Sequence, residues 1–266
     1  MTAEVSVTGL THRFGDLPVL EHLDLQVGPR EAVAVVGPSG CGKSTLLRVL
    51  AGLVTPTSGH VAIDGTDVAG RPGHAAYMPQ SDALLPWRRA LDNATLGAEI
   101  AGDDRRDARR RAEELFSRFG LSGFERAWPA ELSGGMRQRV AFLRTILTGR
   151  GVLLLDEPFG ALDAITRADL HTWFGDLLSE EPRTLLLVTH DIDDALRLAD
   201  RILVLSHRPG RAVATVGVPG GRPRGALRLL DADVAAVKRR VLTALGGESV
   251  NHPGGESTPD NGRRAD

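Results

Sequence analysis

A glycine-rich loop between an apolar run and a helical segment constrains this chain more than any other stretch. Residues 37–45 read Gly-Pro-Ser-Gly-Cys-Gly-Lys-Ser-Thr and match the pattern G-x-x-x-x-G-K-S/T. The run at 32–36 is typical of a buried parallel strand, and residues 46–51 predict a helix that ends at Gly52. Because bare backbone amides and a helix N-terminus both attract phosphate, the sequence predicts an α/β fold with a nucleotide site here.

The residues of this loop would share the binding of a triphosphate. Lys43 would reach the β- and γ-phosphates, and the Ser44 hydroxyl would bind Mg²⁺. Only Lys43 and Lys238 are lysines among the 32 lysines and arginines, so a compact ammonium is kept where a planar guanidinium would fit poorly. The alternative is a glycine-rich turn without a ligand. The residues expected to contact the nucleotide here are Gly37, Ser39, Gly40, Cys41, Gly42, Lys43, Ser44 and Thr45.

Composition narrows the class of protein. The 266 residues suffice for one large domain or two small ones, and the formal net charge of −2 gives no general attraction to nucleic acid. One cysteine excludes a disulfide framework and fits a reducing compartment. No signal peptide is expected, and every apolar run is broken well short of the roughly 18 residues of a membrane span. A membrane role would therefore need a partner.

The first half of the chain predicts strands on both sides of the loop. Period-two alternation at 4–12 and 19–27 predicts two strands of an antiparallel layer, with Phe14 in the turn between them. Phe14 is either a core aromatic or a platform for an adenine ring, and the sequence does not choose between these. Two further strands are predicted at 60–63 and 75–79.

Gln80 ends the last of these strands and is followed by an unusually apolar loop, Leu-Leu-Pro-Trp at 84–87. Taken alone, a glutamine in this place is most often a surface amide. Helices are predicted at 91–101 and 105–119. We expect them to form a helical subdomain, inserted into the α/β core at about 82–147.

The second half returns to alternating strands and helices. Strands are predicted at 152–155 and 184–189, edge strands at 202–205 and 212–218, and helices at 133–147, 164–178, 192–199 and 234–245. Beyond this the chain is polar and rich in Gly and Pro. We therefore predict one folded domain at 1–247 and a disordered tail at 248–266.

Two carboxylates and a histidine follow buried strands of this half. Asp156 and Glu157 end the strand at 152–155, at the edge where open α/β sheets place their ligands. Asp156 would hold Mg²⁺ through water, and Glu157 would act as the base that polarises the attacking water. His190 ends the next strand and would contact the γ-phosphate. A solvated acidic turn and a structural histidine are the alternatives.

A second phosphate-binding surface is predicted at Ser133, Gly134 and Gly135. This stretch supplies a hydroxyl, two bare amides and a helix N-terminus. One nucleotide does not need two such surfaces from one chain. The simplest interpretation is that this surface closes over a nucleotide held by another copy.

These motifs resemble the ATP-binding subunits of ABC transporters over roughly residues 4–245. The motifs are Walker A at 37–45, the Q-loop at Gln80, the signature at 132–138, Walker B at 152–157, the D-loop at 161–163 and the switch histidine at His190. The stretches 84–87 and 133–139 are most similar to the nitrate/sulfonate/taurine branch of bacterial importers. Met136 departs from the general pattern, in which glutamine is commonest, although this branch often has methionine there.

The resemblance implies a fold and further site residues. The fold would be a P-loop NTPase core with a mostly parallel sheet, an antiparallel β layer and an inserted helical subdomain. Asp163 would contact the nucleotide. Gln80 would bind both nucleotide and Mg²⁺, and with the loop at 84–87 it would couple ATP chemistry to a permease. The apolar residues of that loop would line a docking groove.

The resemblance also implies partners and a location. Two copies would close head to tail around two Mg·ATP at the cytoplasmic face of the membrane and drive a transmembrane permease. A solute-binding protein outside the membrane would deliver the solute, and no nucleic acid is expected. Two alternatives are a non-transport ABC ATPase acting on a protein or nucleic acid, and a P-loop kinase for a small molecule. The kinase reading leaves Ser133–Gly135 and His190 unexplained, and a pure binding module leaves Glu157 without a role.

Overall fold

Two β-sheets organise the chain in the computed structural model, which describes residues 3–160 and 162–246. The strands are β1 (Val5–Phe14), β2 (Leu17–Val27), β3 (Ala32–Val36), β4 (Ser58–Ile63), β5 (Thr66–Asp67), β6 (Ala76–Met78), β7 (Val152–Asp156), β8 (Thr184–Val188), β9 (Arg201–Leu205) and β10 (Ala212–Gly217). An antiparallel sheet has the order β2-β1-β4-β5, and a larger sheet has the order β10-β9-β3-β8-β7-β6. The predicted antiparallel layer and mostly parallel sheet are both confirmed.

The centre of the larger sheet is buried on both faces. Every residue of β3, β7 and β8 is buried, which is why these strands read as continuous apolar runs. The pairings from β6 to β9 are parallel, and only β10 is antiparallel to its neighbour. The expectation that 202–205 is an edge strand is wrong, because β9 lies between β3 and β10 and its last four residues are buried.

Eight α-helices lie in the described residues. They are α1 (Lys43–Leu50), α2 (Ala90–Ala94), α3 (Leu96–Ala101), α4 (Arg105–Arg118), α5 (Gly134–Ile146), α6 (Ala164–Glu180), α7 (Ile192–Leu198) and α8 (Ala232–Gly246). The single helix predicted at 91–101 is two helices that meet at Thr95. The Thr95 hydroxyl lies 3.0 Å from Glu99 Oε1 and 3.5 Å from the Asp92 carbonyl, and such side-chain bonds compete with regular helix.

The two faces of the larger sheet pack against different layers. One face and helix α1 share a core with the antiparallel sheet, including Leu23, Leu47 and Leu154. The other face shares a core with α2, α4, α5 and α6, including Phe116 and Phe142. Helices α2 to α5 lie between β6 and β7 in the chain. The domain bounds given above stay a prediction, and the tail at 248–266 lies outside the described residues.

The loops after β3, β7 and β8 leave the larger sheet at the same edge, because parallel strands place their carboxyl ends together. These loops carry the glycine-rich segment, the two carboxylates and His190. None of the described helices is both long and apolar enough to cross a membrane.

Candidate functional site

The glycine-rich loop is shaped by glycines that no other residue could replace without strain. Gly42 caps α1 with φ 110°, and a Cβ there would lie 2.7 Å from Leu20 Cδ2 on β2. Gly40 also has a positive φ of 76°, while Ser39 and Gly40 are exposed. Strand β2 therefore packs against one side of the loop, and the exposed side of the loop at Ser39 and Gly40 is accessible to a phosphate group.

Lys43 folds back over its own loop. Its ammonium donates to the carbonyl oxygens of Gly37 at 2.8 Å and Pro38 at 2.9 Å, and the residue is only 9% exposed. Cys41 is buried beneath, and burial raises the pKa of its thiol. Only the backbone of Cys41 is therefore available to a nucleotide, whereas Lys43 holds a positive charge at the loop.

Asp156, Ser44 and Tyr77 form a polar cluster beside this loop. Ser44 Oγ donates to Asp156 Oδ1 at 3.1 Å, and the Tyr77 hydroxyl lies 3.5 Å from Oδ2. Asp156 is 2% exposed, and burial raises the pKa of its carboxyl. Burial and the Asp156 charge raise the pKa of Tyr77 to about 12, so the phenol remains a hydrogen-bond donor at neutral pH.

Sequence reasoning missed Tyr77. It pairs in register with Leu154, two residues before Asp156, and side chains two residues apart share one face of a sheet. Alternation along the strand at 75–79 could have placed Tyr77 on the carboxylate's face, but only with the knowledge that β6 and β7 are neighbours.

The oxygen atoms of Ser44 and Asp156 are suitable ligands for Mg²⁺. A hydroxyl and a carboxylate are the hard oxygen ligands that this ion prefers, and it keeps several waters or substrate phosphates as its other ligands. A cation would also offset the burial that disfavours the charged form of Asp156. Residues 3–160 and 162–246 contain no group of three or more His, Cys, Asp or Glu that could hold a metal. Gln80 is exposed after β6, and its metal role stays a prediction.

Glu157 and His190 meet at the ends of adjacent strands. Glu157 Oε2 lies 2.7 Å from His190 Nδ1, and their side chains are 12% and 69% exposed. Glu157 has φ 51°, a left-handed conformation that costs a residue with a side chain of order 1–3 kcal/mol. Its backbone N–H donates to the Val188 carbonyl at 2.9 Å, which ties the turn to β8. Strain of this kind persists where surrounding structure imposes it and is concentrated at functional sites.

The signature segment presents an exposed helix N-terminus. Ser133 caps α5, with its hydroxyl accepting from the Met136 N–H at 3.2 Å, and Ser133 and Gly134 are exposed. A Cβ on Gly135 would lie 3.3 Å from Leu162, which places this segment against the one before α6. Within the described part of the chain, no hydrogen bond or ion pair joins this segment to the glycine-rich loop.

Two more predicted nucleotide contacts have defined positions. Phe14 ends β1 rather than lying in the following turn; it is 48% exposed and meets the His12 ring edge-on at 4.6 Å. This exposure excludes the core alternative for Phe14. Asp163 Oδ1 accepts from the Thr166 N–H at 3.0 Å at the start of α6. Their contacts with nucleotide stay predictions.

Gln138 is a second residue that the sequence did not single out. It is 3% exposed on α5, and its amide donates to the Pro158 carbonyl at 3.1 Å. Helix α5 therefore holds the turn that follows Glu157. No sequence pattern singles out Gln138, because the polar residues Arg137 and Arg139 flank it.

The apolar loop at 84–87 is only partly available to a partner. Leu84 is 9% exposed and belongs to the core, so the expectation that it lines a groove is wrong. Trp87 is 70% exposed and Pro86 is also exposed. The buried Asn93 amide fixes the loop by accepting from the Leu85 N–H at 2.8 Å and donating to the Leu85 carbonyl at 3.1 Å.

Known proteins share both sequence and fold with this chain. The aliphatic sulfonates import ATP-binding protein SsuB 1 of Rhodococcus jostii is 47% identical over 241 residues, covering 91% of this chain and 93% of that protein. The formylaminopyrimidine import ATP-binding protein ThiZ of Halalkalibacterium halodurans is 46% identical over 202 residues, covering 76% of this chain and 79% of that protein. The dimeric ATP-binding cassette MJ0796, in a post-hydrolysis state with ADP and Pi, superposes with a TM-score of 0.72 at 29% identity, covering 82% of this chain and all of that one.

The sequence profile of the family described as ABC transporter matches residues 20–160, more than half of the chain. This match begins in β2, contains the glycine-rich loop and ends just beyond the Asp156–Glu157 turn. Together with relatives aligned over most of their own length, it establishes that the chain belongs to the ABC transporter family.

Proposed function

We propose that this chain is the ATP-hydrolysing subunit of a solute importer. It would act as a head-to-tail pair with Mg²⁺, bound peripherally to a permease at the cytoplasmic face of the membrane. The observation that carries this proposal is the division of the site. The glycine-rich loop, the Ser44–Asp156 contact and the Glu157–His190 contact lie at one edge of the sheet, while Ser133 and Gly134 are exposed and make no described hydrogen bond with them. The completed site therefore needs a second copy.

Each residue of the first copy has a distinct task in hydrolysis. The loop amides and Lys43 would hold the phosphates and leave the γ-phosphate facing the Glu157–His190 pair. Glu157 would take the proton of the attacking water, and His190 would orient that water and the γ-phosphate. When bound at Ser44 and Asp156, Mg²⁺ would neutralise charge that develops on the phosphate oxygens.

The second copy would supply Ser133, Gly134 and Gly135. The exposed N-terminus of α5 offers amides and about half a positive charge to the γ-phosphate. The dimeric state of MJ0796, which this fold matches, supports such a pairing. Asp163 lies at the start of α6 and would contact nucleotide at the same interface.

The imported solute is a small molecule whose identity this subunit does not set. The two relatives named above are nearly equally identical to this chain in sequence, although one is named for the import of aliphatic sulfonates and the other for that of formylaminopyrimidine. This similarity supports an importer with an extracytoplasmic solute-binding protein and leaves solute choice to the other subunits.

Purification of the native complex tests the proposal. A tagged full-length chain should recover a multi-spanning permease from solubilised membranes, and the complex should release ADP and phosphate from Mg·ATP. Recovery of only soluble partners would contradict import and favour a non-transport ATPase. Transfer of phosphate to a small acceptor would favour a kinase.

Trp87→Ala should separate hydrolysis from transport. Trp87 is 70% exposed on a loop held by Asn93, so its removal should leave basal hydrolysis by the isolated chain nearly unchanged. Transport by the complex reconstituted in vesicles should fall. The permease would cover the Trp87 ring, and aromatic residues that become buried at an interface often contribute most of its binding energy. Leu53→Ala, which also removes an exposed apolar side chain, is the matched control. A proportional loss of hydrolysis and transport would exclude the coupling role.

A further inference from the structure

His190 has little packing to hold it in place. Its side chain is 69% exposed, and its described polar contact is with Glu157 at 2.7 Å. The position of the imidazole must therefore depend on the backbone on either side, at Thr189 and Asp191. Both of these neighbours are tied by polar side chains to helix α6.

Arg167 forms the first tie. Its Nη1 lies 2.9 Å from Asp191 Oδ2, and its Nη2 donates to the Leu162 carbonyl at 3.3 Å. Asp191 Oδ1 meanwhile accepts from the Asp193 N–H at 2.8 Å and caps α7. One guanidinium thus connects the segment before α6 with the residue directly after His190.

His171 forms the second tie, one helical turn along α6. Its Nε2 lies 2.9 Å from Asp194 Oδ1, with the side chains 7% and 5% exposed, although the N–H is not aligned as in a linear hydrogen bond. Asp194 Oδ2 accepts from Thr189 Oγ1 at 3.3 Å, and that hydroxyl accepts from the Asp191 N–H at 3.0 Å. The His171 ring also packs edge-on against Phe159, just beyond the Glu157 turn.

The two ties act on one helix face. Residues 167 and 171 are four apart on α6, so their side chains lie on the same side and both face the start of α7. Moving α6 relative to α7 would separate the Arg167–Asp191 ion pair and withdraw the imidazole of His171 from the buried Asp194 carboxylate, and both changes cost free energy. Helices α6 and α7 should therefore move together.

We propose that Arg167 and His171 are positioning residues through which the Leu162–Asp163 segment sets the place of His190. Leu162 lies beside Gly135 of the signature segment, where an added Cβ would come within 3.3 Å of its Cδ2, and Asp163 caps α6. A change at this surface would therefore be passed to α6. The inference rests on the proposed function, since a second copy would press on this segment when the pair closes. Hydrolysis would then be rapid only in the closed pair.

Two substitutions remove the ties while keeping the local hydrogen bonds. Asp191→Asn retains an oxygen to cap α7. His171→Phe leaves Asp194 bonded to Thr189 and keeps a ring against Phe159. Each should lower kcat about 10- to 100-fold, the usual effect of misplacing a reacting group, with KM for ATP nearly unchanged. Arg167→Lys keeps the charge and should retain more activity than Arg167→Gln. Arg118→Gln, which removes a bidentate pair with Glu180 at the far end of α6, is the control and should match wild type.

A second measurement does not depend on turnover. The imidazole ¹⁵N resonances of His190 in the nucleotide-free full-length chain report its contact with Glu157. They should shift toward those of a free imidazole in Asp191→Asn and His171→Phe, and remain unchanged in Arg118→Gln. Unchanged His190 resonances, or equal losses of kcat in the control, would overturn the inference. A wild-type chain that hydrolyses no ATP would instead overturn the proposed function, and the spectra would still decide the role of the ties.

Discussion

Glu157→Gln should lower ATP turnover by about 10²–10⁴-fold, the usual contribution of a general base. The amide can still accept a hydrogen bond from His190 Nδ1, so the 2.7 Å contact and the local fold should survive. What is lost is the ability to take a proton from water. ATP binding should persist, and a nucleotide-dependent dimer should accumulate because the closed state is no longer consumed.

Steady-state hydrolysis and size-exclusion chromatography with Mg·ATP check this prediction. Glu113→Gln removes an exposed carboxylate on α4 and is the matched control, which should hydrolyse ATP normally and form no lasting dimer. Hydrolysis by Glu157→Gln at close to the wild-type rate would remove this residue from the mechanism.

Mixing two inactive variants should restore hydrolysis if each site is shared between copies. Lys43→Ala removes the phosphate-binding ammonium, and Ser133→Arg blocks the exposed helix N-terminus. Homodimers of either variant lack an intact site and should be inactive. In the mixed dimer both lesions fall in the same site, so the other site keeps a working Lys43 and Ser133.

The control places both substitutions in one copy and pairs it with wild type. Each site then carries one lesion, and this dimer should stay inactive although its number of substitutions is the same. Differently tagged pairs, purified through both tags, allow the two arrangements to be compared directly. Equal hydrolysis by both would contradict the head-to-tail arrangement.

Features that depend on contiguous residues were determined by the sequence alone. The glycine-rich loop needs only a strand, positive-φ glycines such as Gly42 and a following helix, and all of these are encoded within about 20 residues. The same holds for Ser133, whose hydroxyl caps its own helix, and for the buried runs of β7 and β8, which read as unbroken apolar segments. Local backbone chemistry fixes such elements, so their residues identify the family without the fold.

Contacts between distant segments were decided only by the tertiary structure. Tyr77 approaches Asp156 because β6 and β7 are adjacent, β9 is internal because β10 covers its outer edge, and Arg167 reaches Asp191 because α6 packs on α7. The apolar character of Leu84 likewise did not show that it enters the core while Trp87 stays exposed. Periodicity gives the face that a side chain occupies on its own element, but not which element lies opposite. Strand order and helix packing supply that neighbour, and they are set by the folding of the whole chain.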